Sequence, residues 1–281
     1  MTIDAHVHLW RLARGDNVAL DPSMSAIYRD REPADLKPRL DAAGIERIVV
    51  VQAAETLAES LFTIGLAHKF PWIAGIVAWV DLASPSVAEE VAALAWNPVI
   101  KGVRPVRRDN ASIAWMLDSR LEKGWRALAD HDLTLDILMQ NWNEIPLAVH
   151  LSRRLPGLRI VLDHCGKPDI ASGAFAPWAR HIDEIAALPN THCKLSGLMN
   201  CAPAGASVAD VEPYADHVLD SFGGDRVLWA SDWPPLDLAS DYATWKRISD
   251  EILAARPLAL REAVQRGTAE RVYKLAAPTE S

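Results

Sequence analysis

The chain has 281 residues, half of them hydrophobic, which is enough to bury the core of one large α/β domain or of two smaller domains. Its formal net charge of −8 gives no basic surface for phosphate groups, so we expect no nucleic-acid partner and a small neutral or polar ligand instead. No stretch of about 18 apolar residues is free of charge, and the first residues do not resemble a secretory signal, so we expect no membrane partner.

Eight short runs rich in β-branched residues are predicted to be strands. They are Thr2–His8, Arg47–Gln52, Ile73–Val80, Ile100–Pro105, Leu133–Met139, Arg159–His164, His192–Ser196 and Arg226–Asp232. The segments between them carry apolar residues at i, i+3, i+4 and i+7, which is typical of amphipathic helices that cover a sheet. These predicted helices include Ala54–Lys69, Ser86–Trp96, Leu117–Asp132, Asn143–Leu155 and Val208–Phe222.

This repeated order of strand and helix predicts a (β/α)8 barrel of the TIM type, with residues 1–281 as a single domain. The main alternative is an open, doubly wound sheet. Against that alternative, no GxGxxG turn follows the first strand. Polar residues also end strands one, six, seven and eight alike, and a closed ring brings those ends together.

The longest irregular connection is Trp10–Pro33, which follows the first strand. Loops of this length in a compact domain are usually functional. Because it leaves the carboxyl end of a strand, we expect it to lie over the mouth of the barrel.

The three cysteines, Cys165, Cys193 and Cys201, are odd in number and form no CxxC pair. This pattern favours reduced thiols, and therefore a cytoplasmic protein, over a disulfide framework. The expected role of the three side chains is packing in the core.

Alternation along the first strand predicts that Asp4, His6 and His8 face the inside of the barrel, while the alternate residues face the helices: Ile3, Ala5 and Val7. Two neutral imidazoles at positions i and i+2 of a strand can bind one divalent ion, and Zn²⁺ readily accepts such nitrogen ligands. The alternative is a pair of histidines that only form hydrogen bonds in the core.

The same alternation on strand six places Ile160, Leu162 and His164 inside, and on strand eight it directs Asp232 inside. Closure of the ring makes Asp232 a neighbour of His6. Each polar residue taken alone can be explained as a satisfied polar group at a strand end. The agreement between three strand ends favours a functional site instead.

These residues predict hydrolysis. Close to cationic or metal-bound groups, Asp232 stays ionised and can take a proton from water as a general base. His164 and Arg104, which ends strand four, can stabilise negative charge on a carbonyl oxygen. This combination hydrolyses an ester or amide without a covalent nucleophile.

Four motifs in chain order resemble the amidohydrolase superfamily: His6–His8, Asp163–Pro168, Lys194–Gly197 and Ser231–Pro234. More narrowly, they are similar to its amidohydrolase-related branch of sugar lactonases and pyrone dicarboxylate lactonases, which includes L-fuconolactonase and L-rhamnonolactonase types. The resemblance extends from Ile3 to about Leu275. It implies a distorted (β/α)8 barrel, a water activated by the aspartate of strand eight, and opening of a lactone to a hydroxy acid.

The resemblance also implies that His6, His8 and Asp232 hold a single Zn²⁺. Strand five ends in Leu138–Gln140, without the bridging lysine or the histidine of the binuclear members, so two metal ions are not expected. Some lactonases of this branch are thought to work without a metal, and that alternative stays open.

The predicted substrate-binding residues lie at or just beyond strand ends and are Trp10, Gln140, Trp142, Lys167, Lys194 and Trp233. An indole can pack against a sugar ring while its N–H donates to a hydroxyl. The amide and the ammonium groups suit a polyhydroxylated ring. For Lys194 the alternative is a buried ion pair with Asp163.

The substrate class is predicted from the run Arg104–Arg108, which can clamp a carboxylate or polarise a lactone carbonyl. Arg104 is the preferred residue, because Arg107 and Arg108 are typical of solvated surface. No second arginine cluster follows a strand, which favours a neutral aldonolactone over a dicarboxylate lactone. Metal-dependent decarboxylation and an inactive binding module are the remaining alternatives.

Overall fold

The computed structural model describes residues 1–106 and 114–277, in which eight parallel strands form one sheet and each strand pairs with the next along the chain. The strands are β1 (Thr2–Val7), β2 (Ile45–Val51), β3 (Ile73–Ala78), β4 (Ile100–Val103), β5 (Thr134–Ile137), β6 (Ile160–Leu162), β7 (Thr191–Leu195) and β8 (Val227–Trp229). The ring closes where the chain after β8 meets β1, since the backbone N–H of Asp232 donates to the carbonyl of His6 at 3.0 Å. The predicted (β/α)8 barrel is confirmed.

Helices connect the strands and cover the outside of the barrel. They are α1 (Pro33–Ala43), α2 (Leu57–Lys69), α3 (Val87–Ala95), α4 (Glu122–Asp130), α5 (Ile145–Arg154), α6 (Phe175–Ala186), α7 (Leu198–Cys201), α8 (Val208–Phe222), α9 (Tyr242–Ala254), α10 (Leu258–Glu262) and α11 (Thr268–Val272). α8 begins where it was predicted to begin, because Ser207 and Asp210 form a capping box there. Among the described residues, the structure contains no helix with both the length and the apolar character that crossing a membrane requires.

Two hydrophobic layers stabilise the barrel. The larger layer lies between the strands and the helices. The smaller lies inside the barrel and consists of Ile3, Ala5, Val49, Val51, Val77, Val161, Leu228, Ala230, Ala269, Val272 and Tyr273. Near the start of β2 and of β4, Arg47 and Lys101 donate to the carbonyls of Ala276 and Lys274. The C-terminal segment therefore closes the amino-terminal end of the barrel.

The inward face of β1 differs from the predicted face. Ile3 and Ala5 belong to the interior layer, whereas Asp4 faces α9 and accepts a hydrogen bond from the hydroxyl of Tyr242 at 2.8 Å. The pairing register between β1 and β2 is irregular after Asp4. Two successive residues, Ala5 and His6, therefore both face the inside of the barrel. The prediction for Asp4 is wrong because strict alternation holds only along a regular strand.

The inward face of β6 also differs by one residue. Val161 belongs to the interior layer, while Ile160 and Leu162 pack on the side of the helices. His164 nevertheless reaches the inside, because the chain leaves β6 in a turn in which His164 has a left-handed φ of 53°. The predicted position of His164 is therefore confirmed, although the alternation that led to it is wrong.

The segment Trp10–Pro33 is held at the carboxyl end of the barrel. Arg14 pairs with Glu59 at 3.1 Å, and the hydroxyl of Thr56 donates to Asp16 at 3.1 Å. Thr56 and Glu59 begin the helix that follows β2, so both contacts lie at the rim of the mouth. This agrees with the expected place of the segment.

Candidate active site

Four side chains that the sequence singled out meet at the carboxyl end of the barrel. The Oδ1 atom of Asp232 lies 3.6 Å from Nε2 of His6 and 3.5 Å from Nε2 of His8. Its Oδ2 atom lies 3.7 Å from Nε2 of His164. All four residues are buried. The result is one carboxylate surrounded by three imidazoles.

Backbone conformation delivers two of these side chains. His164 and Asp232 have φ values of 53° and 61°, in the left-handed region. Such values are uncommon for residues other than glycine and are concentrated at functional sites. The turns after β6 and β8 therefore aim an imidazole and a carboxylate at each other across the mouth.

Ser196 and Gly197, which follow β7, contact His164 and fix the position of its ring. The hydroxyl of Ser196 lies 2.9 Å from Nδ1 of His164. Gly197 has a φ of 70°, and a Cβ atom added there would lie 2.5 Å from Cβ of His164. Glycine is therefore required at this position both by conformation and by space.

His8 has a defined proton position. Its Nδ1 lies 2.9 Å from the carbonyl oxygen of Val51, which only accepts, so Nδ1 carries the hydrogen. The Nε2 atom of His8 then offers a lone pair to the space beside Asp232, 3.1 Å from Nε2 of His6.

The surroundings favour an ionised Asp232 and neutral His6 and His164. Burial alone would raise the pKa of Asp232, but His164, His8 and His6 outweigh it and hold the pKa below its ordinary value. Burial lowers the pKa of His164, and burial together with Lys194 lowers the pKa of His6 well below its ordinary value. The carboxylate is thus available as a base at neutral pH.

A layer of buried charges lies beneath this cluster. Lys194 on β7 lies 2.6 Å from Asp136 on β5 and 2.9 Å from Asp163. The hydroxyl of Tyr273, from the C-terminal segment, donates to Asp136 at 2.6 Å. Of the two interpretations of Lys194, the contacts match the buried ion pair, because its side chain exposes 0% of its surface.

Arg104 joins the two layers. Its Nη2 donates to the carbonyl of Gln52 at 2.6 Å, and its Nη1 lies 3.4 Å from Nε2 of His6 and 3.6 Å from Asp163. Arg104 is buried, as an inward residue at the end of a barrel strand should be. Arg107 and Arg108 lie outside the described residues.

The predicted substrate-binding tryptophans are placed differently from one another. Trp10 is only 3% exposed, and its indole N–H donates to the carbonyl of Arg29 at 2.7 Å. Trp233 is 0% exposed, with the guanidinium of Arg31 over its ring. Trp142 is half-buried and stacks on a histidine ring 5.8 Å away. Only Trp142 of the three retains appreciable surface for a sugar.

The remaining predicted contacts lie at the carboxyl ends of β5 and β6. Gln140 is exposed, and Lys167 is half-buried in the turn that carries His164. Both therefore have surface that a ligand can reach, unlike Lys194.

Sequence reasoning missed Asp136 and Tyr273. An acidic residue within the apolar run Thr134–Ile137 was a signal for a buried pair. Tyr273 carried no local signal, because its partner lies 137 positions away in sequence.

The donor set fits a divalent metal ion. The ligand atoms of His6, His8 and Asp232 all lie within 4.8 Å of one another, and a second group, His6, Asp163 and His164, shares His6. Within the described residues, Oδ1 of Asp232 is buried without a hydrogen-bond partner. Two imidazole nitrogens and a free carboxylate oxygen are ligands that Zn²⁺ accepts. The residues predicted as metal ligands are therefore brought together.

Two named relatives are similar to this chain over most of its length. A relative from Burkholderia ambifaria named L-fucono-1,5-lactonase is 41% identical over 86% of this chain and 84% of its own length. A second protein of that name, from Burkholderia multivorans, is 33% identical over 100% of this chain and 98% of its own length.

A solved structure of an amidohydrolase from Burkholderia multivorans with bound zinc is also similar. It superposes with a TM-score of 0.92 at 32% identity, covering 98% of this chain and 100% of the other. The amidohydrolase family model matches residues 3–275. The chain therefore belongs to the amidohydrolase family.

Proposed function

We propose that the protein is a lactonase that opens L-fucono-1,5-lactone, or a related aldonolactone, to the corresponding aldonic acid. The observation that carries the proposal is the buried carboxylate of Asp232, kept ionised within 3.7 Å of His164 at the open end of the barrel. The two relatives named L-fucono-1,5-lactonase support this substrate class.

Asp232 acts as the general base. One of its carboxylate oxygens takes a proton from a water molecule, and the hydroxide equivalent adds to the lactone carbonyl carbon. The ring C–O bond then breaks, and Asp232 returns the proton to the departing ring oxygen. The products are a hydroxyl group and a carboxylic acid, and no covalent enzyme intermediate forms.

Arg104 and His164 stabilise the negative charge that develops on the carbonyl oxygen. The hydroxyl of Ser196 can donate to Nδ1 of His164, which leaves the hydrogen on Nε2, the nitrogen that faces the cluster. Arg104 supplies a second, permanently charged donor, with its Nη1 3.4 Å from Nε2 of His6. Fixed donors in a buried site stabilise such a charge more strongly than water does.

His6, His8 and Asp232 would hold a zinc ion. When bound, zinc supplies a Lewis acid that lowers the pKa of a coordinated water and polarises a carbonyl group. The chain's own part is to orient the three ligand atoms and to exclude solvent from them.

Sugar recognition is assigned to Gln140, Trp142 and Lys167. Gln140 and Lys167 offer an amide and an ammonium group to ring hydroxyls, and the half-buried indole of Trp142 offers an apolar face. We do not assign direct contacts to Trp10, Trp233 or Lys194, since each is nearly or fully buried.

The free thiols of the three cysteines support a cytoplasmic location.

The test is acid release at constant pH from a panel of L-fucono-, L-rhamnono- and L-galactonolactones, before and after chelator treatment and zinc addition. We expect stereoselective hydrolysis, which the Asp232→Asn variant lacks. A folded protein that hydrolyses none of the aldonolactones would overturn the proposal. Hydrolysis of a pyrone dicarboxylate lactone, or decarboxylation of an aromatic acid, would then identify the alternative.

A further inference from the structure

His6 and His8 differ at the ring nitrogen that faces away from the cluster. A histidine that binds a metal through one nitrogen carries its hydrogen on the other and donates it to an acceptor. His8 meets this requirement, because its Nδ1 faces the carbonyl of Val51 at 2.9 Å. At His6 this nitrogen has two neighbours, Nζ of Lys194 at 3.0 Å, which only donates, and Oδ1 of Asp163 at 3.3 Å, which only accepts.

Lys194 has little freedom to leave this position. Its side chain is 0% exposed and lies between Asp136 at 2.6 Å and Asp163 at 2.9 Å. Asp136 is in turn held by the hydroxyl of Tyr273 at 2.6 Å. The ammonium group of Lys194 therefore contacts two carboxylates and Nδ1 of His6.

A second cation faces the other side of the same ring. Nη1 of Arg104 lies 3.4 Å from Nε2 of His6, the nitrogen that a zinc ion would need. Two positive groups thus contact the ring of one predicted metal ligand, and both repel a divalent cation in a buried place where screening by water is weak. Asp163, with Oδ1 at 3.3 Å from Nδ1 of His6, is the alternative acceptor.

We propose that Lys194 is a positioning residue that keeps the zinc affinity of this centre low by occupying Nδ1 of His6. Zinc binding then requires Nδ1 to gain a hydrogen and to donate it to Asp163, at the cost of the contact with Lys194. The proposal rests on the assignment of His6, His8 and Asp232 as metal ligands, and it does not depend on which substrate is hydrolysed.

The first test removes the lysine together with one acidic partner, so that the net charge of the layer is unchanged. In the double variant Asp136→Asn with Lys194→Met, Asp163 remains free to accept from Nδ1 of His6. We expect zinc to bind about 10–100-fold more tightly, the range typical of partners that orient a ligating histidine, in a competition assay with a chromophoric chelator. Unchanged or weaker zinc binding would overturn the proposal.

The matched control is Lys246→Met with Asp250→Asn. These residues form the same kind of ion pair, with Nζ and Oδ1 2.6 Å apart, on α9. We expect this pair of substitutions to leave zinc affinity unchanged. An equal gain in affinity in the control would show that the effect is not specific to His6 and would also overturn the proposal.

The second test needs no variant and decides the question if the double variant does not fold. Long-range proton–nitrogen correlation spectra of ¹⁵N-histidine-labelled protein report which ring nitrogen carries hydrogen, and comparison with His6→Gln assigns the signal. We expect Nδ1 of His6 to be unprotonated in metal-free protein and protonated once zinc is bound. A protonated Nδ1 in the metal-free protein would overturn the proposal. Neither test measures turnover, so failure here is distinguishable from failure of the lactonase proposal.

Discussion

Two buried carboxylates differ in their hydrogen bonding: Asp136, in the charged layer beneath the mouth that we call the floor, and Asp232 at the mouth. On the floor, Asp136 contacts Lys194 and Tyr273, and both contacts are 2.6 Å long. At the mouth, Oδ1 of Asp232 has no hydrogen-bond partner within the described residues. A paired buried charge orients its neighbours, whereas a buried acceptor with a free lone pair is available to a water, a substrate or a metal ion. The difference predicts that substitutions at the mouth reduce turnover and those on the floor reduce stability.

The largest effect is expected for Asp232→Asn, which removes the base and almost no volume. We expect kcat to fall about 10²–10⁴-fold, the usual contribution of a general base, with the fold retained by circular dichroism. Asp225→Asn, at an exposed aspartate, is the control and should retain full turnover. A kcat for Asp232→Asn within threefold of the wild-type value would remove Asp232 from the mechanism.

The second effect is expected for Gly197→Ala. The new methyl group would displace His164 and force alanine into a left-handed conformation. We expect kcat to fall at least tenfold and the free energy of unfolding to fall by about 1–3 kcal/mol. Gly205→Ala separates the two causes, because Gly205 has a φ of 77° but nothing within 4 Å of an added Cβ. Equal losses of kcat in the two variants would show that the contact with His164 does not cause the loss.

The third substitution, Tyr273→Phe, tests the floor. It leaves the buried Asp136 with one fewer hydrogen bond, and we expect thermal or chemical unfolding to show a loss of about 1–3 kcal/mol. Turnover should change less than threefold, because Lys194 keeps its contact with Asp136. Tyr28→Phe, at an exposed tyrosine, should leave stability unchanged. A large fall in kcat without loss of stability would contradict the division between floor and mouth.

The smallest effect concerns Glu59 at the rim, where burial raises the pKa of the carboxyl group to about 7. The folded state binds this proton more tightly than the unfolded state does. The free energy of unfolding is therefore higher at low pH and falls as pH rises through about 7. We expect wild type to lose about 1–3 kcal/mol relative to Glu59→Gln between about pH 5 and 8, measured by urea unfolding. Parallel pH profiles for the two proteins would show that Glu59 stays ionised.

Much of the candidate site could be predicted because its residues stand at strand ends. His6, His8, Arg104 and Asp232 each lie near or just after the carboxyl end of a strand, and the carboxyl ends of parallel strands meet at one mouth. The substrate contacts were less predictable. Trp233 follows β8 as Trp142 follows β5, yet Trp233 is fully buried, with Arg31 from the segment Trp10–Pro33 over its ring.

The sequence by itself determined the number and order of the strands and the presence of helices between them, because hydrophobic periodicity is a local property of each segment. The order of the strands also predicted that the histidines and the aspartate meet at the mouth of the barrel. Only the tertiary structure decided that Asp4 faces outward, that a left-handed turn brings His164 inside, and that Lys194 lies against His6. The physical reason is that register shifts, turn conformations and buried ion pairs are set by contacts between segments far apart in sequence, which no local pattern encodes.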